Sequence, residues 1–116
     1  MTSELIQQSC EACRADAPKV TDEELSEFIK QIPEWQPITE DNILKLRRAF
    51  KFDDYLKAAR FTSEIASMSE EEGHHPAILL EWGSVEVTWW SHKIGGLHKN
   101  DFISAAKTDN LRGLIE

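Results

Sequence analysis

The hydrophobic positions alternate between helical and strand-like periods. Between residues 21 and 33, Leu25, Phe28 and Ile29 recur at i, i+3 and i+4, which predicts a short amphipathic helix. The preceding Thr21-Asp22-Glu23-Glu24 has the form of a capping box, and Pro33 closes the segment. From Trp35 to Phe52 the period shortens to two. This predicts a strand over Trp35–Thr39, a turn at Glu40-Asp41-Asn42 and a longer strand from Ile43. In that second strand Leu44, Leu46, Phe50 and Phe52 share a face with Arg48, and Lys45, Arg47 and Lys51 share the other.

Helical spacing returns with Ala58, Phe61, Ile65 and Met68, behind Asp53 as the expected cap. The last turn carries Glu70, Glu71 and Glu72, which oppose the helix dipole, so local stability does not account for them. Gly73 suits the left-handed position that ends a helix. A second hairpin is expected from Ala77–Trp82 and Val85–Ser91 around a Gly83-Ser84 turn, then a glycine-containing loop to Lys99 and a last helix with Phe102, Ile103, Ala105, Ala106 and Leu111. The order is helix, then strand-strand-helix twice. Short hairpin links make the four-stranded sheet antiparallel, and the helices should cover one face of it in a two-layer α+β fold. Residues 1–20 show no sustained period and are expected to form an N-terminal arm before a single domain over 21–116.

Length and composition agree with one core: 116 residues, 41% hydrophobic, four Trp and five Phe. A net charge of −8 repels phosphate backbones, so direct nucleic-acid binding is not expected. The longest apolar run, Ala77-Ile78-Leu79-Leu80, is far below the ~20 residues of a membrane helix, and residues 1–8 hold no secretory apolar segment. The expected location is cytoplasmic, with no membrane contact. Cys10 and Cys13 form a C-x-x-C without the further ligands of a zinc site or the preceding strand of a thioredoxin-like unit, and read as two reduced thiols.

The chemistry-bearing feature is the histidine distribution. His74, His75, His92 and His98 all fall in the second half, each at or near a junction between elements. A tight hairpin sets the start of its first strand beside the end of its second, so His75 and His92 are expected to be neighbours. Metal-free acid–base catalysis fits, with Glu70 one turn before His74 to orient an imidazole. A three-histidine metal site is a second reading, although adjacent histidines seldom share an ion and no H-x-x-x-H spacing occurs. Ordinary polar loop residues are the third. Among the tryptophans, Trp35, Trp82 and Trp89 read as core or sheet packing, whereas Trp90 alternates onto the face of Thr88 and His92, where it could wall a flat ligand. Asp101 fits the cap or first turn of the last helix.

Taken together, Glu70-x-x-x-His74-His75-Pro76, then Trp82, then Trp90-Ser91-His92, then Gly96-Leu97 and Asp101 resembles the pterin-4a-carbinolamine dehydratase family, over roughly Asp22 to Leu111. The N-terminal Cys-Glu-Ala-Cys and Trp-Trp-Ser-His look like its bacterial branch associated with phenylalanine hydroxylase. The resemblance implies elimination of water from 4a-hydroxytetrahydropterin to give quinonoid dihydropterin, recycling the pterin of aromatic amino acid hydroxylases without metal or other cofactor. It also implies a homo-oligomer, dimer or tetramer, and a functional link to phenylalanine hydroxylase. Carried over to this chain, His74 and His92 would be acids at the departing hydroxyl. His75 would hold the pterin and take up a proton, and Glu70 would orient the histidines. Backbone groups near Gly73, Trp90, Ser91 and Lys93 would bind the ring, with Asp101 supporting the site. Gly73 and Trp90 depart from the animal relatives, which have an acidic and a small hydroxyl residue there. The alternative is a non-catalytic binding module, a regulator of a hydroxylase or of a transcription factor, as some family members are.

Overall fold

The computed structural model describes residues 19–115. Cys10, Cys13 and most of the expected arm lie outside that range, while Val20 is tied to the domain by its N–H, which donates to Leu97 C=O at 2.9 Å. The elements are α1 (Asp22–Ile29), β1 (Gln36–Glu40), β2 (Ile43–Lys51), α2 (Tyr55–Glu72), β3 (Ala77–Glu81), β4 (Ser84–Trp89) and α3 (Lys99–Gly113). All strand pairings are antiparallel, in the spatial order β1-β2-β4-β3. This is the expected α+β arrangement.

Both hairpins turn over two residues, but with different chemistry. Asp41 and Asn42 both take positive φ, +53° and +64°, in the manner of a type I′ turn, which matches the right-handed twist of β1 and β2. In the second hairpin Glu81 pairs with Ser84, so the turn is Trp82-Gly83 rather than Gly83-Ser84, with Gly83 at φ +76°. A side chain at Gly83 would also meet the Phe52 carbonyl at 3.2 Å, and the Phe52 N–H donates to Gly83 C=O. Placing the turn there puts Trp82 at the tip with 73% of its surface exposed, not in the sheet packing expected of it.

The helix-covered face holds Leu46, Phe50, Val85, Val87 and Trp89, all buried. Phe61 of α2 meets Phe50 and Phe52 at centroid distances of 4.8 and 5.4 Å, α3 reaches Trp89 through Thr108, and α1 packs Phe28 on Phe102 of α3. The capping box at Thr21 and Glu24 forms as expected, with bonds of 2.9 and 3.1 Å. The cap of α2 is Asp54, whose carboxylate accepts from Lys57 N–H, rather than Asp53. The other sheet face carries Arg47, Glu86 and Thr88 with Lys45, of which only 7% is exposed.

Candidate active site

Gly73 ends α2 at φ +68°, and its N–H is taken up by the carbonyls of Ser69 and Glu70. That left-handed turn throws His74 and His75 in different directions. His74 turns inward, with 4% of its surface exposed, and its ring stacks on Trp89 at 5.3 Å between centroids and 28° between planes. Its Nε2 lies 2.6 Å from Oδ1 of Asp101, which has no exposed surface. Oδ2 of Asp101 accepts from Ser91 Oγ–H at 2.7 Å and from the His98 N–H at 2.9 Å. Asp101 is therefore an acceptor for three groups drawn from the end of α2, the end of β4 and the start of α3. In the His74 tautomer that carries its proton on Nε2, that N–H donates to Oδ1.

His75 turns outward. Its side chain is 60% exposed and Nε2 lies 2.9 Å from Oε1 of Glu70, itself 83% exposed. The orienting carboxylate that sequence spacing assigned to His74 thus serves His75, and the buried aspartate serves His74. The left-handed Gly73 at the helix end precedes this split between the two histidines. Two of the three carboxylates that oppose the α2 dipole have partners: Glu70 meets His75 five residues on, and Glu72 accepts from Lys107 of α3, a tertiary contact that local helix preference does not supply.

Ser91 leaves β4 and forms an isolated antiparallel bridge with Gly96. Its N–H donates to Gly96 C=O and its own C=O accepts from Gly95 N–H, while its hydroxyl is held by Asp101. Both backbone groups and the side chain of Ser91 are thus engaged within the protein, and Asp101 is fully enclosed. His92 follows on the exposed side of the turn, its ring centroid 4.3 Å from that of Trp90. Lys93 is exposed beside it. His98 caps α3, with Nδ1 accepting from Asn100 N–H. The pairing of Ala77 with Thr88 sets the start of β3 alongside the end of β4, the arrangement from which His75 and His92 were expected to approach each other. Two participants escaped sequence reasoning. Trp89 was assigned to core packing but also forms the surface on which His74 lies, and Lys45 sits 4.1 Å above the Trp90 ring. Among the described residues no three His, Cys, Asp or Glu side chains are grouped to hold a metal ion.

Residues 18–111 match the pterin 4 alpha carbinolamine dehydratase family. The chain belongs to this family. A Marinobacter nauticus protein provisionally named pterin-4-alpha-carbinolamine dehydratase is 60% identical over 109 residues, 94% of this chain and 98% of that one. Among solved structures, a Brucella melitensis transcriptional coactivator/pterin dehydratase aligns with a TM-score of 0.75 and 28% identity, over 83% of this chain and all of that one. A pterin dehydratase-like protein identified as a RuBisCO assembly factor of the alpha-carboxysome aligns at a TM-score of 0.59 and 26% identity, over 69% of this chain and 90% of that one. No helix among the described residues is long and apolar enough to cross a membrane.

Proposed function

We propose that this family member is a 4a-hydroxytetrahydropterin dehydratase working by histidine acid–base catalysis, and that it recycles the pterin used by aromatic amino acid hydroxylases. The observation that carries this reading is the Asp101 hub, which fixes His74 and the residue before His92 to one buried carboxylate. An arrangement of this kind is wasteful for loop histidines with no chemistry to perform, because burying a carboxylate requires that all its partners be kept in place.

The reaction removes hydroxide from C4a and a proton from N5. Hydroxide leaves as water only if a proton reaches the C4a oxygen as the C–O bond breaks, and the C=N bond forms as N5 loses its own proton. His74 commits Nε2–H to Asp101, so exchange with the substrate falls to its other nitrogen, and the adjacent carboxylate stabilises the imidazolium that donates. His75 donates Nε2–H to Glu70, which leaves Nδ1 as an acceptor suited to the N5 proton and to holding the ring. His92 is exposed at the end of β4 and serves as the second acid. Gly73 and Lys93 lie beside these groups and would contact the pterin edge. The exposed Leu79 on the outer strand β3, and Trp82 at its tip, support self-association through that edge, as the family resemblance implies.

The relatives described as a coactivator and as an assembly factor favour a second reading, a binding module without turnover. Stopped-flow decay of freshly generated 4a-hydroxytetrahydropterin separates the two. Fast decay with the wild type and loss of it in a His75→Ala, His92→Ala double variant supports the enzyme, and equal uncatalysed decay in both refutes it.

A further inference from the structure

His92 has a placement problem that His74 and His75 do not. Each of those has a carboxylate to fix its ring, whereas His92 is an exposed side chain on the turn beyond β4. Among the described residues the contact that restrains its ring is Trp90, at 4.3 Å between centroids and 36° between planes. Trp90 in turn is engaged by the ammonium of Lys45, 4.1 Å from the ring centroid. The β2–β4 register pairs Leu46 with Trp89, so Lys45 and Trp90 follow as neighbours on the face not covered by helices.

Lys45 is unusual in its own right. Lysine is almost never buried unless paired, yet here only 7% of the residue is exposed, and Nζ lies 3.3 Å from Oε1 of Glu40. Glu40 is itself held by two bonds from Arg47, both 2.9 Å, and Arg47 reaches across to Thr88 and Glu86 on β4. These contacts link the turn end of β1, the strand β2 and the end of β4. An apolar side chain could fill the same space, but a cation held between a carboxylate and an indole fixes the ring's position as well as covering it.

We propose that Trp90 and Lys45 are positioning residues for His92: Lys45, anchored on Glu40, holds the Trp90 indole, and the indole holds the imidazole in the orientation proton transfer needs. This rests on the dehydratase reading above. Displacement of a catalytic group by about 1 Å costs on the order of a hundredfold in rate, so an exposed catalytic histidine requires such a support.

Proton NMR of the His92 ring, read together with steady-state kinetics on 4a-hydroxytetrahydropterin, tests the proposal. In the wild type, the indole's ring current should move the His92 ring protons upfield of free histidine. Trp90→Ala should abolish that displacement and Lys45→Ala reduce it, while Trp90→Phe and Lys45→Arg, which keep a ring and a cation, should restore much of it. In parallel, kcat should fall by about tenfold to a hundredfold in the alanine variants with KM little changed, and recover in the conservative ones. Since Lys45 is buried, a dispersed amide spectrum of Lys45→Arg provides the folded control. An unshifted His92 ring in an active wild type overturns the positioning role alone. A raised KM with kcat retained in Trp90→Ala also overturns it, by making Trp90 a substrate wall. A wild type that is inactive although its His92 ring is shifted overturns the dehydratase reading and the role that rests on it.

Discussion

Two consecutive histidines, His74 and His75, sit in opposite environments. His74 is buried, stacked on Trp89 and bonded to an enclosed carboxylate that also holds Ser91 and His98. His75, one residue on, is exposed and bonded to an exposed carboxylate. A hydrogen bond of similar length means different things in the two places. In the interior, the loss of one partner strands polar groups without water, and at the surface water replaces it at little cost. Under the proposed mechanism, structural and chemical roles separate along two adjacent residues: His74 would join catalysis to the fold, whereas His75 would serve catalysis alone.

Removing the Asp101 carboxylate should break this contrast most strongly. Asp101→Ala leaves His74 Nε2, the Ser91 hydroxyl and the His98 N–H without their acceptor, and a stability loss of about 3 kcal/mol or more follows. Thermal melting should show a drop of more than about 10 °C, accompanied by loss of dehydratase activity. Asp101→Asn, which keeps the shape and one acceptor oxygen, should lose less. If Asp101→Ala melts with the wild type, the buried member of the comparison has no structural role.

His75→Ala should do the reverse. Chemical denaturation should register a change within about 0.5 kcal/mol, while the dehydration rate falls by roughly a hundredfold or more. A large loss of stability would show that the outward histidine also supports the fold. Glu70→Gln is milder still: both groups are largely exposed, so the rate should drop by less than about fivefold, with an unchanged melting temperature.

The smallest effect is a pH dependence that sets one sheet face against the other. On the face without helices, hydrogen bonds from Arg47 and Lys45 hold the Glu40 carboxyl below its ordinary value of 4.5. The unfolded chain then binds the proton more readily, so Glu40 contributes stability above about pH 4.5 that is lost as pH falls through its lowered native value. On the helix-covered side, burial raises Asp109 above its ordinary 3.8, against the opposing bonds from Trp35 and Arg48. There the native state binds the proton more readily, and the contribution is present below about pH 3.8 and lost as pH rises through the raised native value. Denaturant midpoints measured between pH 3 and 6 should fall less steeply on acidification in Glu40→Gln and more steeply in Asp109→Asn. Slopes identical to wild type in both variants would remove this contrast between the faces.

Much of the architecture was legible because periodicity reports which side chains face a core. Leu46, Phe50, Val85 and Val87 alternate in sequence and are buried together, and Thr21 with Glu24 closes its box as local chemistry dictates. Trp82 was misplaced because one residue of turn register moved it from a strand to the hairpin tip. The burial of Lys45 was not legible because alternation identifies a face, not what covers it. In the site, the motif gave the residue types, but the pairing of Glu70 with His75 and of Asp101 with His74 was hidden. Asp101 lies twenty-seven positions beyond His74, and no local spacing rule connects them.

By itself the sequence determined the α+β order of elements, the family and the set of histidines and carboxylates, since hydrophobic period, caps and turn residues act over a few neighbours. Only the tertiary structure decided which carboxylate each histidine receives, which imidazole is buried and which aromatic ring lies against it. Those outcomes depend on the crossing of α2, β4 and α3 around Asp101, and on desolvation, which no residue possesses until the chain has packed around it.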